Sequence, residues 1–267
     1  MHLEVGSEAA LDAFDRVAIV SSFSPTRKVT RSLAQLTQEL ADAGFATIVV
    51  RVSDDHAPSD WPGEVPPNTI VLRRENRRYD FGSWASAMEL YPEICGLQTV
   101  LLVNDSLAGP FSSLKPVLDA ATSSSADIWA AASSEQFTPH LQSFFVAYRN
   151  GVLAEPPLRR FWRKLPDLVE KHEIIERYEL GLSRLFWAEG YSTTAFIASQ
   201  HMSSRFANPM IEGWRAVLDS GFPFVKRQLL REPRLAHDGD DIPATVKLLY
   251  GQNPYDWVAE SDQPGAG

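Results

Sequence analysis

Between residues 17 and 106, four short apolar runs alternate with segments of helical or loop-like pattern. The runs are VAIVSSF (17–23), ATIVVRVSDD (46–55), TIVLRREN (69–76) and TVLLVNDS (99–106). Apolar stretches of this length, rich in β-branched residues, predict buried strands. Between the first two, Leu33, Leu36, Leu40 and Ala43 recur at helical spacing over 29–43, and Gly44 stands where a helix would stop. The resulting β-α-β unit favours a parallel pair joined by a right-handed crossover. HAPSDWPGEVPPN (56–68) is rich in Pro and Gly and reads as a loop. SWASAMELYPEI (83–94) and residues 113–121 read as helices, and DIWAAAS (127–133) and QSFFVAYRN (142–150) as further strands. The fold class is α/β, with a Rossmann-type, mostly parallel sheet flanked by helices.

From about Pro156 the pattern changes. LRRFWRKLPDLVEKHEIIERYELGLSRLFWAEGY (158–191) predicts one or two helices ending at Gly190, and a shorter helix follows near Glu212 to Ser220. One domain over 1–252 is expected, with an α/β part at 15–150 and a mainly helical part at 151–252. The tail, 253–267, ends in Gly and Pro and is expected to be weakly ordered.

Binding sites in such sheets form at the carboxyl ends of the strands. Those ends carry Ser22 and Ser24, then Ser53 and Asp54, then Asn76 with Asp80 beyond it, then Asn104, Asp105 and Ser106. Turns use Ser, Asn and Asp too, so one such end says little. Four in succession favour a common polar cleft.

Charge and composition narrow the function. The net charge is −9, so no broad basic field is available for a nucleic-acid backbone. The local basic runs RRENRR (73–78) and RRFWRK (159–164) suit solvent, a diphosphate or an anionic lipid surface. The single cysteine, Cys95, allows neither an intrachain disulfide nor a Cys-based zinc site. The opening MHLEVGSEAALDAF lacks the basic-then-apolar order of a secretory leader. No window approaches the roughly 18 apolar residues of a membrane span. A soluble, cytoplasmic protein with at most peripheral membrane contact is expected.

YDFGSW (79–84), LLVNDSLAGP (101–110), DIWAAASS (127–134), HLQSFFVAY (140–148), FW (161–162), EIIERYELGLS (173–183) and NPMIEGW…GFPFVK (208–226) follow one another in an order that resembles the rhamnan synthesis protein F family. The resemblance covers roughly residues 70–230. Arg78 and Ala130 stand where that family tends to have glycine. The resemblance implies a rhamnosyltransferase-like enzyme of bacterial polysaccharide synthesis with a GT-A-like domain. It also implies a dTDP-rhamnose-like donor and a growing or lipid-linked glycan as acceptor.

Such a transfer requires that the diphosphate leaving group be neutralised, the acceptor hydroxyl deprotonated and the sugar held in place. GT-A enzymes usually set an Asp-x-Asp motif after the fourth strand to hold a divalent metal. The matching place here is Asn104-Asp105-Ser106, which makes Asp105 the candidate ligand of Mg²⁺ or Mn²⁺; one carboxylate suffices when phosphates and water complete the shell. The alternative is that basic side chains carry the diphosphate, with Lys226 and Arg74 or Arg77 as candidates. An inverting reaction, implied by the family analogy, wants a carboxylate base at the acceptor. Glu179 is expected at the rim of an apolar stripe of Ile174, Ile175, Tyr178, Leu182, Leu185 and Phe186, where partial burial would raise its pKa. Glu135 and Asp80 compete for this role, and Asp80 also suits nucleotide orientation or a helix cap. His140 and Gln142, polar at the start of an otherwise apolar strand, are assigned to sugar or acceptor. Two rival readings are a UDP- or GDP-sugar donor, and a catalytically silent nucleotide- or glycan-binding module.

Overall fold

A computed structural model describes residues 1–11, 13–55, 57–75, 77–166, 170–199 and 208–263. In chain order the strands are β1 (His2–Val5), β2 (Arg16–Ser24), β3 (Ala46–Ser53), β4 (Thr69–Arg74), β5 (Thr99–Asn104), β6 (Leu107–Ala108), β7 (Ile128–Ser134), β8 (His140–Leu141), β9 (Phe145–Arg149), β10 (Thr193–Ile197) and β11 (Val225–Lys226). The helices are α1 (Arg31–Asp42), α2 (Tyr79–Leu90), α3 (Lys115–Ser123), α4 (Pro156–Arg163), α5 (Lys171–Ile174), α6 (Gly181–Ala188), α7 (Trp214–Asp219), α8 (Arg227–Arg231) and α9 (Ile242–Tyr250). A π-helical turn, Ile175–Leu180, joins α5 to α6.

The main sheet runs β1-β4-β3-β2-β5-β9-β7-β10, with β8 paired to β7. The pairs β2–β3, β3–β4 and β2–β5 are parallel, as the β-α-β reading requires. The sheet as a whole is mixed rather than mostly parallel: β1–β4, β5–β9 and β7–β9 are antiparallel. The direction of β9 fits its ten-residue connection to β7, 135–144, which includes β8 and is shorter than the dozen or more residues of a crossover to a parallel strand. The expected strand at 142–150 begins at Phe145. Gln142, Ser143 and Phe144 form the turn between β8 and β9 instead. The C-terminal part contains β10, parallel to β7, and is therefore less purely helical than its sequence implied.

Alternate side chains of the central strands feed two cores. Val17, Ile19, Val100 and Leu102 join Phe81 and Trp84 of α2, Trp162 of α4 and Tyr178 and Phe186. Ala18, Val20, Leu101 and Val103 join Leu33, Leu36 and Leu40 of α1 and Val117 and Leu118 of α3. A third cluster packs α7, α8 and α9 on Ala108 and Phe111, and Trp257 belongs to it. Residues 254–263, expected to be weakly ordered, are thus tied down: Ser32 Oγ donates to the Trp257 carbonyl at 2.6 Å, and the Arg31 guanidinium lies over the Trp257 ring. No helix of the described residues is long and apolar enough to cross a membrane.

The entry to α2 explains the glycine of YDFGSW. Arg78 and Tyr79 have φ values of 60° and 50°, a region that costs most residues energy and that glycine occupies freely. This left-handed entry folds the chain back on the first turn. A Cβ at Gly82 would lie 2.2 Å from the Arg77 carbonyl oxygen. Gly82→Ala is expected to destabilise the protein by about 1–3 kcal/mol, the usual cost of overpacking, which a denaturant-unfolding series measures.

A polar cleft at the carboxyl ends of the strands

The cleft is built by two segments 120 residues apart. β6 leaves the sheet just after β5 and pairs antiparallel with β11, with Leu107 opposite Lys226. The strand is held close by Gly109, whose φ is +123° and where a Cβ would meet the Pro223 carbonyl oxygen at 2.4 Å. Lys226 Nζ consequently reaches Ser106 Oγ at 3.0 Å and sits 4.7 Å from the centroid of the Phe144 ring. The Arg227 amide donates to the Ser106 carbonyl at 3.0 Å.

Six of the sequence-predicted residues line the resulting cleft of about 480 Å³: Asp80, Asn104, Ser106, Gln142, Glu179 and Lys226. Asp80 is held from two strands, accepting from Ser21 Oγ at 2.9 Å and from Asn104 Nδ2 at 2.8 Å. Asn104 Oδ1 in turn accepts from Ser106 Oγ at 2.6 Å. Burial pushes the Asp80 carboxyl above its ordinary value and the Asp105 charge adds to this; the bonds from Ser21 and Asn104 offset only part.

Glu179 lines the same cleft from the π turn. Its Oε2 accepts from the Ser143 amide at 2.8 Å and from Ser143 Oγ at 2.5 Å, and its Oε1 lies 3.5 Å from His140 Nε2. The sequence reading expected burial to raise its pKa. Burial does push upward, but the hydrogen bonds from His140 and Ser143 outweigh it and the carboxyl lies below its ordinary value. On His140, burial pushes down, while the bonds to Glu179 and the Thr138 carbonyl win and the ring lies above its ordinary value.

The π turn decides where Glu179 points. Ile174, Tyr178, Leu182 and Phe186 are buried at a constant spacing of four. A straight α-helix, with 3.6 residues per turn, would carry such a row gradually off one face. The wider π turn takes back that drift. The four-residue spacing was the signal available in the sequence.

Asp105 stands behind the cleft. Ser22 Oγ donates to its Oδ2 at 2.7 Å and Arg227 Nη2 to its Oδ1 at 3.2 Å. Both oxygens are engaged, the residue is buried, and an arginine already supplies the positive charge. Among the described residues no group of three or more His, Cys, Asp or Glu is placed to hold a metal ion. This donor set does not fit a resident divalent cation at Asp105.

The other candidates are placed elsewhere. Ser22 and His140 support Asp105 and Glu179 without lining the cleft. Ser24 Oγ accepts from the Thr26 amide and Ser53 Oγ from the Asp55 amide, so both close local turns, and Ser53 Oγ also donates across to the Thr26 carbonyl in the loop after β2. Asp54 is exposed nearby. Glu135 accepts from Ser199 Oγ at 3.3 Å, away from the cleft lining. Arg74 donates to the Arg77 carbonyl and Arg77 pairs with Glu75, and neither faces the cleft. Asn76 lies outside the described residues.

The cleft also holds residues to which the sequence assigned no role: Ser143, Asn208, Arg227, Arg231 and Asp262. Asp262 reaches Arg227 at 3.7 Å and Arg231 at 4.0 Å. Arg227 could have been found from its place beside Lys226. Nothing local marks Asp262, which lay in the segment read as a loose tail.

Comparison with known proteins adds the lineage. Virulence protein VirA of Vibrio anguillarum (strain ATCC 68554 / 775) is 27% identical over 218 residues, covering 70% of this chain and 69% of that protein. The uncharacterized protein y4gN of Sinorhizobium fredii (strain NBRC 101917 / NGR234) is 25% identical over 155 residues, covering 56% of this chain and 40% of that protein. The crystal structure of A197 from STIV covers 67% of this chain and 81% of that chain at 10% identity; its TM-score of 0.33 is too low to support an argument. The rhamnan synthesis protein F pattern matches residues 68–248, a span that includes Asp80, Asn104, Glu179 and Lys226, and the chain belongs to that family.

Proposed function

We propose that this chain is a glycosyltransferase of polysaccharide assembly that transfers a sugar, rhamnose from dTDP-rhamnose by preference, from a nucleotide donor to a growing or lipid-linked glycan. Membership of a family named for rhamnan synthesis supports the polysaccharide role. One observation carries the chemistry: Lys226, Arg227 and Arg231 line the same cleft as the anchored carboxylate Glu179. Cations suited to a diphosphate and a base suited to a hydroxyl are the two halves of a glycosyl transfer.

In this reading the domain is GT-A-like and the diphosphate rests against Lys226 and Arg227. Lys226 serves as a point charge and Arg227 as a planar fork, its orientation set by Asp105. Asn104 and Asp80 orient the donor beside them. The bond from the anomeric carbon to the diphosphate oxygen breaks with its electron pair going to the leaving group, whose charge the cations stabilise. The acceptor oxygen bonds to that carbon from the opposite face and becomes strongly acidic as it does so. Its proton passes to Glu179. A carboxylate below its ordinary pKa suffices as base because the proton moves late, when the donor oxygen already carries positive charge.

Thermal-shift and transfer assays with dTDP-rhamnose, UDP-sugars and GDP-sugars test this proposal. Stabilisation and turnover with dTDP-rhamnose are expected. Nucleotide binding without transfer or hydrolysis of any donor would identify a silent binding module instead. Because Arg227 takes the place of a cation at Asp105, transfer is expected to persist in EDTA. A loss of turnover that Mg²⁺ or Mn²⁺ restores would show that a metal displaces Arg227.

A further inference from the structure

A second concavity, of about 520 Å³, lies on the far side of the π turn, between α4 and α6. Its walls are apolar, with Pro157, Phe161 and Leu185 among them, and four cations, Arg160, Lys164, Arg177 and Arg184, stand in its lining. Residues 159–164 contain four cations and no acid, in a chain whose net charge is −9. None of Arg160, Lys164, Arg177 and Arg184 forms an ion pair with another described residue. Glu189 is the one carboxylate among the described residues that line the concavity. On α6, Trp187 is 45% exposed, three residues from Arg184.

α4 is amphipathic in a particular sense. It buries Leu158 and Trp162 in the protein and turns Arg159, Arg160 and Arg163 outward. These cations have no ion-pair partner among the described residues of an acidic protein. Combined with an apolar cup and an exposed tryptophan, they match the interfacial zone of an anionic bilayer. There long basic side chains reach phosphates while their stems and an indole rest on acyl chains.

We propose that the α4–α6 face docks on an anionic phospholipid surface. The cup and the cleft back onto the same π turn: Tyr178 lines the cup, and Glu179, the next residue, lines the cleft. The docking goes beyond the transfer reading and is tested without any donor, so the failure of one leaves the other standing.

The test is co-sedimentation of the protein with vesicles of phosphatidylcholine alone or mixed with phosphatidylglycerol, at about 0.1 M and about 0.5 M salt. Binding to the anionic vesicles is expected, weakened by salt. The triple variant R160E/K164E/R184E is expected to bind at least about tenfold more weakly, with unchanged circular dichroism; R160Q/K164Q/R184Q serves if the reversed variant does not fold. Equal binding to both vesicle types, or undiminished binding by the charge variants, would overturn the proposal. Displacement from vesicles by soluble glycerol phosphate would overturn it in favour of a phosphate pocket.

Discussion

Glu179→Gln is expected to lower glycosyl transfer by about 10²–10⁴-fold, the usual contribution of a positioned general base, and to leave donor binding unchanged. The amide keeps the shape and can still accept from Ser143, so a collapse of the site is not the reason for the loss. Single-turnover transfer alongside a donor-binding isotherm separates the two effects. Persistent transfer would move the base to Asp80, whose carboxyl lies above its ordinary value in the same cleft.

The pairing of Glu179 with His140 also predicts a stability profile. The folded pKa of Glu179 is depressed, so its contribution is present above its unfolded value of about 4.3 and is lost as pH falls through the folded value. The folded pKa of His140 is raised, so its contribution is complete below its unfolded value of about 6.5 and is lost as pH rises through the folded value. The pair therefore stabilises the protein most between those two ordinary values. His140→Gln is expected to flatten the alkaline side of this window in a series of melting curves against pH. An unchanged alkaline limb in that variant would mean that the His140–Glu179 contact contributes nothing to folding.

Lys226→Ala is expected to reduce kcat/KM for the nucleotide sugar by about 10- to 150-fold, corresponding to the roughly 1.5–3 kcal/mol of a hydrogen bond to a charged group. Lys226→Arg is expected to recover only part, because a planar fork does not replace a compact ammonium ion held at 3.0 Å from Ser106. Donor titrations of the two variants test this. If both bind dTDP as the parent protein does, the diphosphate does not rest on β11.

The polar strand ends were visible in the chain, but which of them meet was not. Ser22, Ser53 and Asn104 look alike as ends of apolar runs, yet Asn104 lines the cleft, Ser22 props Asp105 from behind, and Ser53 ties the end of β3 to the loop after β2. The difference comes from the next chain segment each one meets. Asn104 meets Asp80 at the start of α2, and Ser53 meets the loop after β2. The pKa of Glu179 departs from the expectation for a related reason: burial follows from an apolar stripe, but the donors that oppose it come from β8 and the turn after it.

Apolar period, glycine stops and Pro-rich breaks act over a few residues. They were enough to mark the parallel β-α-β core, α1 ending before Gly44 and the break at 56–68. Strand direction beyond β5, the seating of Lys226 on Ser106, the Arg227–Asp105 pair and the burial of Trp257 required the folded molecule. Each depends on which edge or face a distant segment covers, and the local pattern of a chain carries no record of that choice.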